Sequence, residues 1–196
     1  IPLPWQFQSK FDLHQAMQAN VPMTLLAFMP MTLLLVGTAY LLIFLIGLPL
    51  ALHTSQRYNG LLDKLVYLLA PLSSIPSWVI GILLISLFAI ELRWLPAFGM
   101  TDTIPPKDFW EFAQTLGKHM ILPVTSIFLS LFFQMVYSWR TVFVTFGEED
   151  YIDLGKAMGL KPRKLQKKYI LKPTLPFVIT NFSLLLISFW QMAMAL

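Results

Sequence analysis

An all-α integral membrane protein is what this sequence predicts. Three observations carry that reading: long uncharged runs, an apolar composition and a one-sided placement of basic residues. Four stretches, residues 22–52, 65–90, 120–139 and 173–196, contain no Asp, Glu, Lys or Arg. Each matches or exceeds the ~18–20 apolar residues that cross the hydrocarbon core as a helix rising ~1.5 Å per residue. The 196 residues are 57% hydrophobic and only 12% charged, with a mean hydropathy of +0.67. Soluble domains carry about a quarter charged residues to cover their surface. Four spans are therefore expected, at about 27–52, 66–90, 120–145 and 174–196.

Four spans place both ends and the middle hairpin on one side of the bilayer and two connecting loops on the other. The first side holds Lys10, Arg93, Lys107 and Lys118. The second holds Arg57, Lys64, Arg140, Lys156, Lys161, Arg163, Lys164, Lys167, Lys168 and Lys172. The acids divide evenly. Because Lys and Arg accumulate on the inner face, residues 53–64 and 140–172 are expected in the cytoplasm. Residues 1–22 and the 91–119 hairpin then face outward. In that hairpin Pro96, Gly99, Pro105 and Pro106 read as turn formers, and Trp94, Phe98 and Trp110 suit a membrane interface. The chain starts at Ile1 without a secretory-leader pattern, and its last apolar run stops at Leu196 without a flanking charge. An interior fragment of a longer protein is the expectation.

The first two spans carry breakers: Pro30, Gly37, Gly47 and Pro49, then Pro71, Pro76 and Gly81. Bilayer helices tolerate these where neighbours re-satisfy the backbone, and small residues let helices approach closely. The uncharged runs contain no proton-relay or voltage-sensing group. Their polar members include Ser73, Ser74, Ser77, Gln134, Ser138, Asn181, Ser183 and Gln191. Helix-to-helix hydrogen bonding accounts for such residues. A sharper reading makes Gln134, Asn181 and Gln191 the lining of a polar path.

Several chemistries find no residues to carry them. Cysteine is absent, so thiolate chemistry and cysteine-ligated metal are excluded. His14, His53 and His119 are widely separated, whereas a metal site needs converging ligands. No GxxxxGK[ST] phosphate loop occurs. No catalytic constellation, cofactor or nucleic-acid partner is expected.

The loop after Arg140 is the most informative segment. Glu148, Glu149 and Asp150 stand where a helix N-terminus favours negative charge. Tyr151, Leu154 and Met158 fall at i, i+3 and i+7 and form an apolar stripe. Gly159 and then Pro162 make a stop signal, with Gly159 suited to a left-handed end. A short amphipathic helix at about 148–159 follows, and a basic segment, 163–172, leads to the last span. Such a helix can lie on lipid or dock into a groove on a partner.

Glu149-Asp150-Tyr151-Ile152, Lys156-Ala157-Met158-Gly159-Leu160 and the Leu175-Pro176-Phe177-Val178-Ile179-Thr180 helix start together resemble the permeases of dipeptide, oligopeptide and nickel ABC importers. Ser74-Ile75-Pro76-Ser77-Trp78 with Gly81, Trp94-Leu95-Pro96-Ala97-Phe98-Gly99, Leu122-Pro123 and Arg140 agree in the same order. The resemblance covers about residue 22 to the end. It departs at Asp153-Leu154-Gly155, where the wider importer signature has Glu-Ala-Ala, and at Met158, where a lysine is usual.

The resemblance implies a type I ABC importer permease-like helix bundle at 23–196, with four of the usual six spans present. It implies one of two pathway-forming permease subunits, served by cytoplasmic ATP-binding-cassette ATPases and an extracytoplasmic substrate-binding protein. The chain itself would be a transport subunit and not an enzyme. The short helix would be the coupling helix, with Glu149, Asp150, Tyr151, Asp153, Ala157, Gly159 and Leu160 contacting the ATPase. A passive channel or membrane scaffold is the alternative, and it has no use for that helix.

Overall fold

The computed structural model describes residues 21–57, 59–99 and 108–194, and the side chains of 29–187 among them. Residues 1–20 of the expected outer segment, together with Pro105 and Pro106, lie outside the described residues. So does the side chain of Gln191. Among the described residues every regular element is helical.

The elements in chain order are α1 (Val21–Gln56), α2 (Leu61–Leu69), a 3-10 turn (Ala70–Ser74), α3 (Ser77–Leu84) and a wide-turn π segment (Ile85–Glu91). Next come α4 (Phe109–Gly147), α5 (Asp150–Ala157), the single turn α6 (Pro162–Lys164), a second π segment (Leu165–Leu171) and α7 (Lys172–Met194). Among the described residues three helices are long and apolar enough to cross a membrane, and a bent pair at Leu61–Ser74 and Ser77–Glu91 makes a fourth if it is one span.

Helices and expected spans differ in instructive ways. α4 starts at Phe109, well ahead of residue 120, and runs for 39 residues with Pro123 inside it. Hydropathy marks only the apolar middle of such a helix, so its polar first turns read as hairpin. The expected second span is not one straight helix. The backbone leaves the helix at Ile75-Pro76, where Pro76 takes an extended ψ of 142° ahead of α3. Proline supplies no N–H and biases the residue before it away from helix. The basic segment expected as a polar lead-in is itself helical and joins α7 through its π turns.

Contacts divide the chain into two compact units. In the first, Ile1–Phe44 with Leu72–Leu131, the buried side chains of α1 are Val36, Ala39, Tyr40 and Ile43, at the three-to-four spacing of one helix face. They are joined by Ile80 of α3 and by Phe112, Leu122 and Val124 of α4. A Cβ at Gly81 would lie 3.7 Å from Ser126 Oγ. Small residues thus set a close approach of α3 to α4. After the first π segment, Arg93 turns the chain with φ 53°, and Phe88 meets Trp94 at 6.1 Å between ring centroids. Trp94, Phe98 and Trp110 are all exposed.

In the second unit, Leu45–Pro71 with Phe132–Leu196, Phe132, Met135, Val136, Trp139 and Phe143 form the buried face of α4. α1 meets that face at Gly47, where a Cβ would stand 3.2 Å from both Trp139 Cζ3 and Val136 Cγ2. In lipid, association of helices comes from such packing and from polar contacts, because lipid tails are as apolar as the side chains. One polar contact ties α2 to α4. Arg140 Nε donates to Asp63 Oδ1 at 2.6 Å and Nη2 donates to Oδ2 at 2.7 Å. The Asn59 N–H donates to the same Oδ2 at 2.9 Å. The pair is a two-pronged, charge-assisted fork with side chains only 14% and 9% exposed.

Removing one partner of that fork strands the other charge in a buried place. Arg140→Leu is expected to destabilise the protein by about 3–5 kcal/mol, and the Asp63→Leu/Arg140→Leu double variant by much less. Thermal unfolding in detergent checks this; a loss in the double variant equal to the sum of the two single losses would show that the charges are not coupled.

Candidate functional site

Helix α5 has eight residues, and isolated helices below ~12–15 residues are marginal in water. Its ends and its packing hold it together. At the start Glu149 takes an extended conformation, φ −70° and ψ 143°, and Asp150 and Asp153 lie in the first turn. There their charge is favourable to the exposed N–H groups. An exposed Lys156–Asp153 ion pair at 2.7 Å adds little, since water screens it.

At the other end the chain closes a two-bond cap. Leu160 N–H donates to Gly155 O at 3.1 Å and Gly159 N–H donates to Lys156 O at 2.9 Å. This Schellman pattern needs a left-handed residue after the last helical turn. Gly159 supplies it with φ +76°, a conformation that costs glycine nothing sterically.

The inward face of α5 is Ile152, 2% exposed, and Gly155. A Cβ at Gly155 would stand 2.6 Å from Leu165 Cδ2 and 3.4 Å from Leu160 Cδ1. A side chain here would therefore have to displace the end of Leu165, so glycine is favoured by space and not by backbone angle. Tyr151 Oη donates to the backbone oxygen of Tyr169 at 3.1 Å. Partial burial, and secondarily the nearby Glu149 charge, push the Tyr151 phenol above its ordinary pKa.

The segment under α5 has a register that only a wide turn gives. Leu165 and Ile170 are both buried, as are Thr174 and Val178. A step of five residues in an α-helix would swing Ile170 about 140° away from Leu165. The i→i+5 bonding of a π turn brings it back to the same side. Gln166 Nε2 also donates to Leu52 O at 3.1 Å, a carbonyl near the end of α1 that Ser55 Oγ also reaches at 2.9 Å.

The stripe seen in the sequence, Tyr151, Leu154 and Met158, points outward, with exposures of 39%, 62% and 71%. Glu149, Asp150, Asp153, Ala157 and Gly159 are exposed beside it, and Leu160 is half-buried. The candidate coupling residues thus share one short surface element. The candidate path residues are more scattered. Gln134 is exposed on α4 and Asn181 half-buried on α7. Among the described residues no group of three His, Asp or Glu side chains could hold a metal ion.

Sequence reasoning missed Ile152, Gly155 and Leu165 as the anchoring contact, and the Asp63–Arg140 fork. The fork had a signal: each is a charge within a residue or two of an uncharged run, on the same expected side. The anchoring contact had none, because its five-residue register belongs to the π turn.

Adding a side chain at position 155 should lift α5 from its seat. Gly155→Leu is expected to raise amide exchange across 150–159, at a cost of about 1–3 kcal/mol for overpacking. Adding Leu165→Ala should recover part of that protection. Exchange unchanged in Gly155→Leu would show that this contact does not hold the helix.

Residues 43–196 match the family described as the binding-protein-dependent transport system inner membrane component. The chain is similar to the dipeptide transport system permease protein DppB of Bacillus subtilis, 32% identical over 152 residues, covering 77% of this chain and 45% of that protein. It is 30% identical over 194 residues to the glutathione transport system permease protein GsiC of Pectobacterium atrosepticum, covering 93% of this chain and 58% of that one. The oligopeptide transport system permease protein OppB of Salmonella typhimurium is 29% identical over 150 residues, with 76% and 45% covered. The chain spans about half the length of these curated relatives. No solved structure matches it. Its apolar helices make it membrane-integral, and with most of its length matched the chain belongs to the binding-protein-dependent transport system inner membrane component family.

Proposed function

We propose that this chain is one pathway-forming permease subunit of an ATP-driven importer of peptides, and that α5 seats on a cytoplasmic ATP-binding-cassette ATPase. The single observation that carries the proposal is the division of labour on α5. One face, Ile152 and Gly155, is locked to the helix that continues into α7, while the other, Tyr151, Leu154 and Met158, is apolar and exposed. A short helix built this way can receive a push on its outer face and pass it to a spanning helix. Apolar anchors at helical spacing fit a groove on a partner protein.

The peptide assignment rests on the relatives, which are named for dipeptide, glutathione and oligopeptide transport. The family description supplies the external binding protein, and a second permease subunit would complete the pathway. The excess of Lys and Arg in residues 53–64 and 140–172 supports a cytoplasmic position for α5.

The test uses the full-length protein with its ATPase in proteoliposomes. These 196 residues contain no cysteine, so with any cysteine elsewhere in the full-length protein replaced, Leu154→Cys and Met158→Cys provide single cross-linking points. Both should link to the ATPase, and Ile152→Cys should not. Leu154→Glu with Met158→Glu places charge in an apolar groove, which is expected to cost about 2 kcal/mol, or about thirtyfold in affinity. Peptide uptake should fall while ATPase activity escapes control by cargo. Normal ATP-dependent uptake in the double variant sinks the coupling role, and uptake without ATP would favour a passive channel.

A further inference from the structure

From the end of α5 to the first residue of α7 the chain carries six basic residues and no acid: Lys161, Arg163, Lys164, Lys167, Lys168 and Lys172. All six are exposed. The ion pairs seen among the described residues, Arg140–Asp63 and Lys156–Asp153, use none of them. Their charge is not spent inside the protein.

Their arrangement follows from the buried row opposite. Leu165, Ile170, Thr174 and Val178 face inward, and the lysines between them lie on the exposed side of the same helical rod. Lys164, Lys168 and Lys172 succeed one another at steps of four and form a column on the exposed side, flanked by Arg163 and Lys167. In an α-helix, steps of four drift steadily in one sense around the axis. The wider π turn at Leu165–Leu171 drifts the other way. The column therefore stays straighter than an all-α helix would hold it.

Its depth is also set. After Lys172, its first residue, α7 carries no charge through Met194, and ~20 such residues span the hydrocarbon core. Lys172 consequently sits at the edge of the hydrocarbon. Lys168 lies about one turn, ~5 Å, further out, within a headgroup layer ~5–7 Å thick on each side. Lys164 is one turn beyond, within reach of that layer through its flexible stem. A partner protein would have to displace headgroups to reach Lys172, whereas lipid phosphates are already at that height.

We propose that Lys164, Lys168 and Lys172 form a binding face for the headgroups of anionic phospholipids in the leaflet where α7 begins. Juxtamembrane lysines attract such lipids, and each is worth about a fivefold change in lipid partition. The inference is independent of the importer reading, because it needs only that α7 spans the bilayer.

The experiment compares the full-length protein with its Lys164→Gln/Lys168→Gln/Lys172→Gln variant in nanodiscs of mixed phosphatidylglycerol and phosphatidylcholine. Lipid retained after gentle detergent extraction is counted by native mass spectrometry. The unaltered protein should retain phosphatidylglycerol in excess of its share, and the triple variant should lose about fivefold of that preference per lysine removed. Lys118→Gln, near the other end of its own span, should leave it unchanged, and Lys→Arg replacements at the three positions should preserve it. High salt should weaken the preference, and added inorganic phosphate at equal ionic strength should not displace the lipid if whole headgroups at the bilayer edge are bound. Equal phosphatidylglycerol retention by the triple variant overturns the proposal. So does displacement by free phosphate, or loss of a co-purifying protein with lipid retention intact.

Discussion

The close approach of Gly155 to Leu165 is the contact on which the surface helix depends. Eight residues cannot hold a helix by backbone hydrogen bonds alone, and a glycine within it costs about 1 kcal/mol relative to alanine. Both deficits are offset by what the missing side chain permits. Leu165 fills the space that a Cβ would occupy, Ile152 is buried beside it, and the Gly159 cap closes the last turn. Tyr151 adds a bond to the same underlying segment. A residue that looks like a defect in a helix is the reason the helix has a fixed seat.

How far the sequence revealed this can be judged residue by residue. The all-helical membrane character was legible because charge is excluded from hydrocarbon, and Lys64, Glu91, Lys118 and Arg140 bracket the runs. The end of α5 was legible because few residues besides glycine adopt the backbone angle at Gly159 without cost. The exposed stripe was legible as a stripe, but periodicity does not say which way a stripe faces. Packing decided that: the inward side went to Ile152 and Gly155, and the stripe stayed outside. The early start of α4 at Phe109 was hidden because Glu111, Lys118 and His119 make a helix look like a loop to any hydropathy argument. The π register at Leu165–Leu171 left no trace, since the choice between i→i+4 and i→i+5 bonding is made by tertiary contacts.

Polar residues inside the spans are mostly settled locally. Thr38, Thr54 and Thr174 donate to carbonyls three or four residues earlier in their own helices, as do Ser126 and Ser130. Such back-bonding satisfies a hydroxyl without any neighbour and suits a solvent that offers no partners. A serine or threonine in these spans is thus weak evidence of a polar route. Amides such as Gln134 and Asn181 are the better markers, because they have more donors and acceptors than one carbonyl can match.

The Asp63–Arg140 fork has a consequence for the long helix that bears Arg140. At 39 residues, α4 is about 58 Å long, nearly twice the ~30 Å hydrocarbon thickness. Its uncharged run, 120–139, is about as long as the slab is thick, so hydrophobic matching sets its height only to within the reach of the Lys118 and Arg140 stems. The fork supplies a plumb mark. A charged pair whose partner sits in the first turn of α2 resists being drawn into hydrocarbon, and it fixes one rung of the ladder at the boundary. The remaining overhang at each end of α4 is then a set length and not a fluctuating one, so whatever stands on that overhang is held at constant altitude above the bilayer.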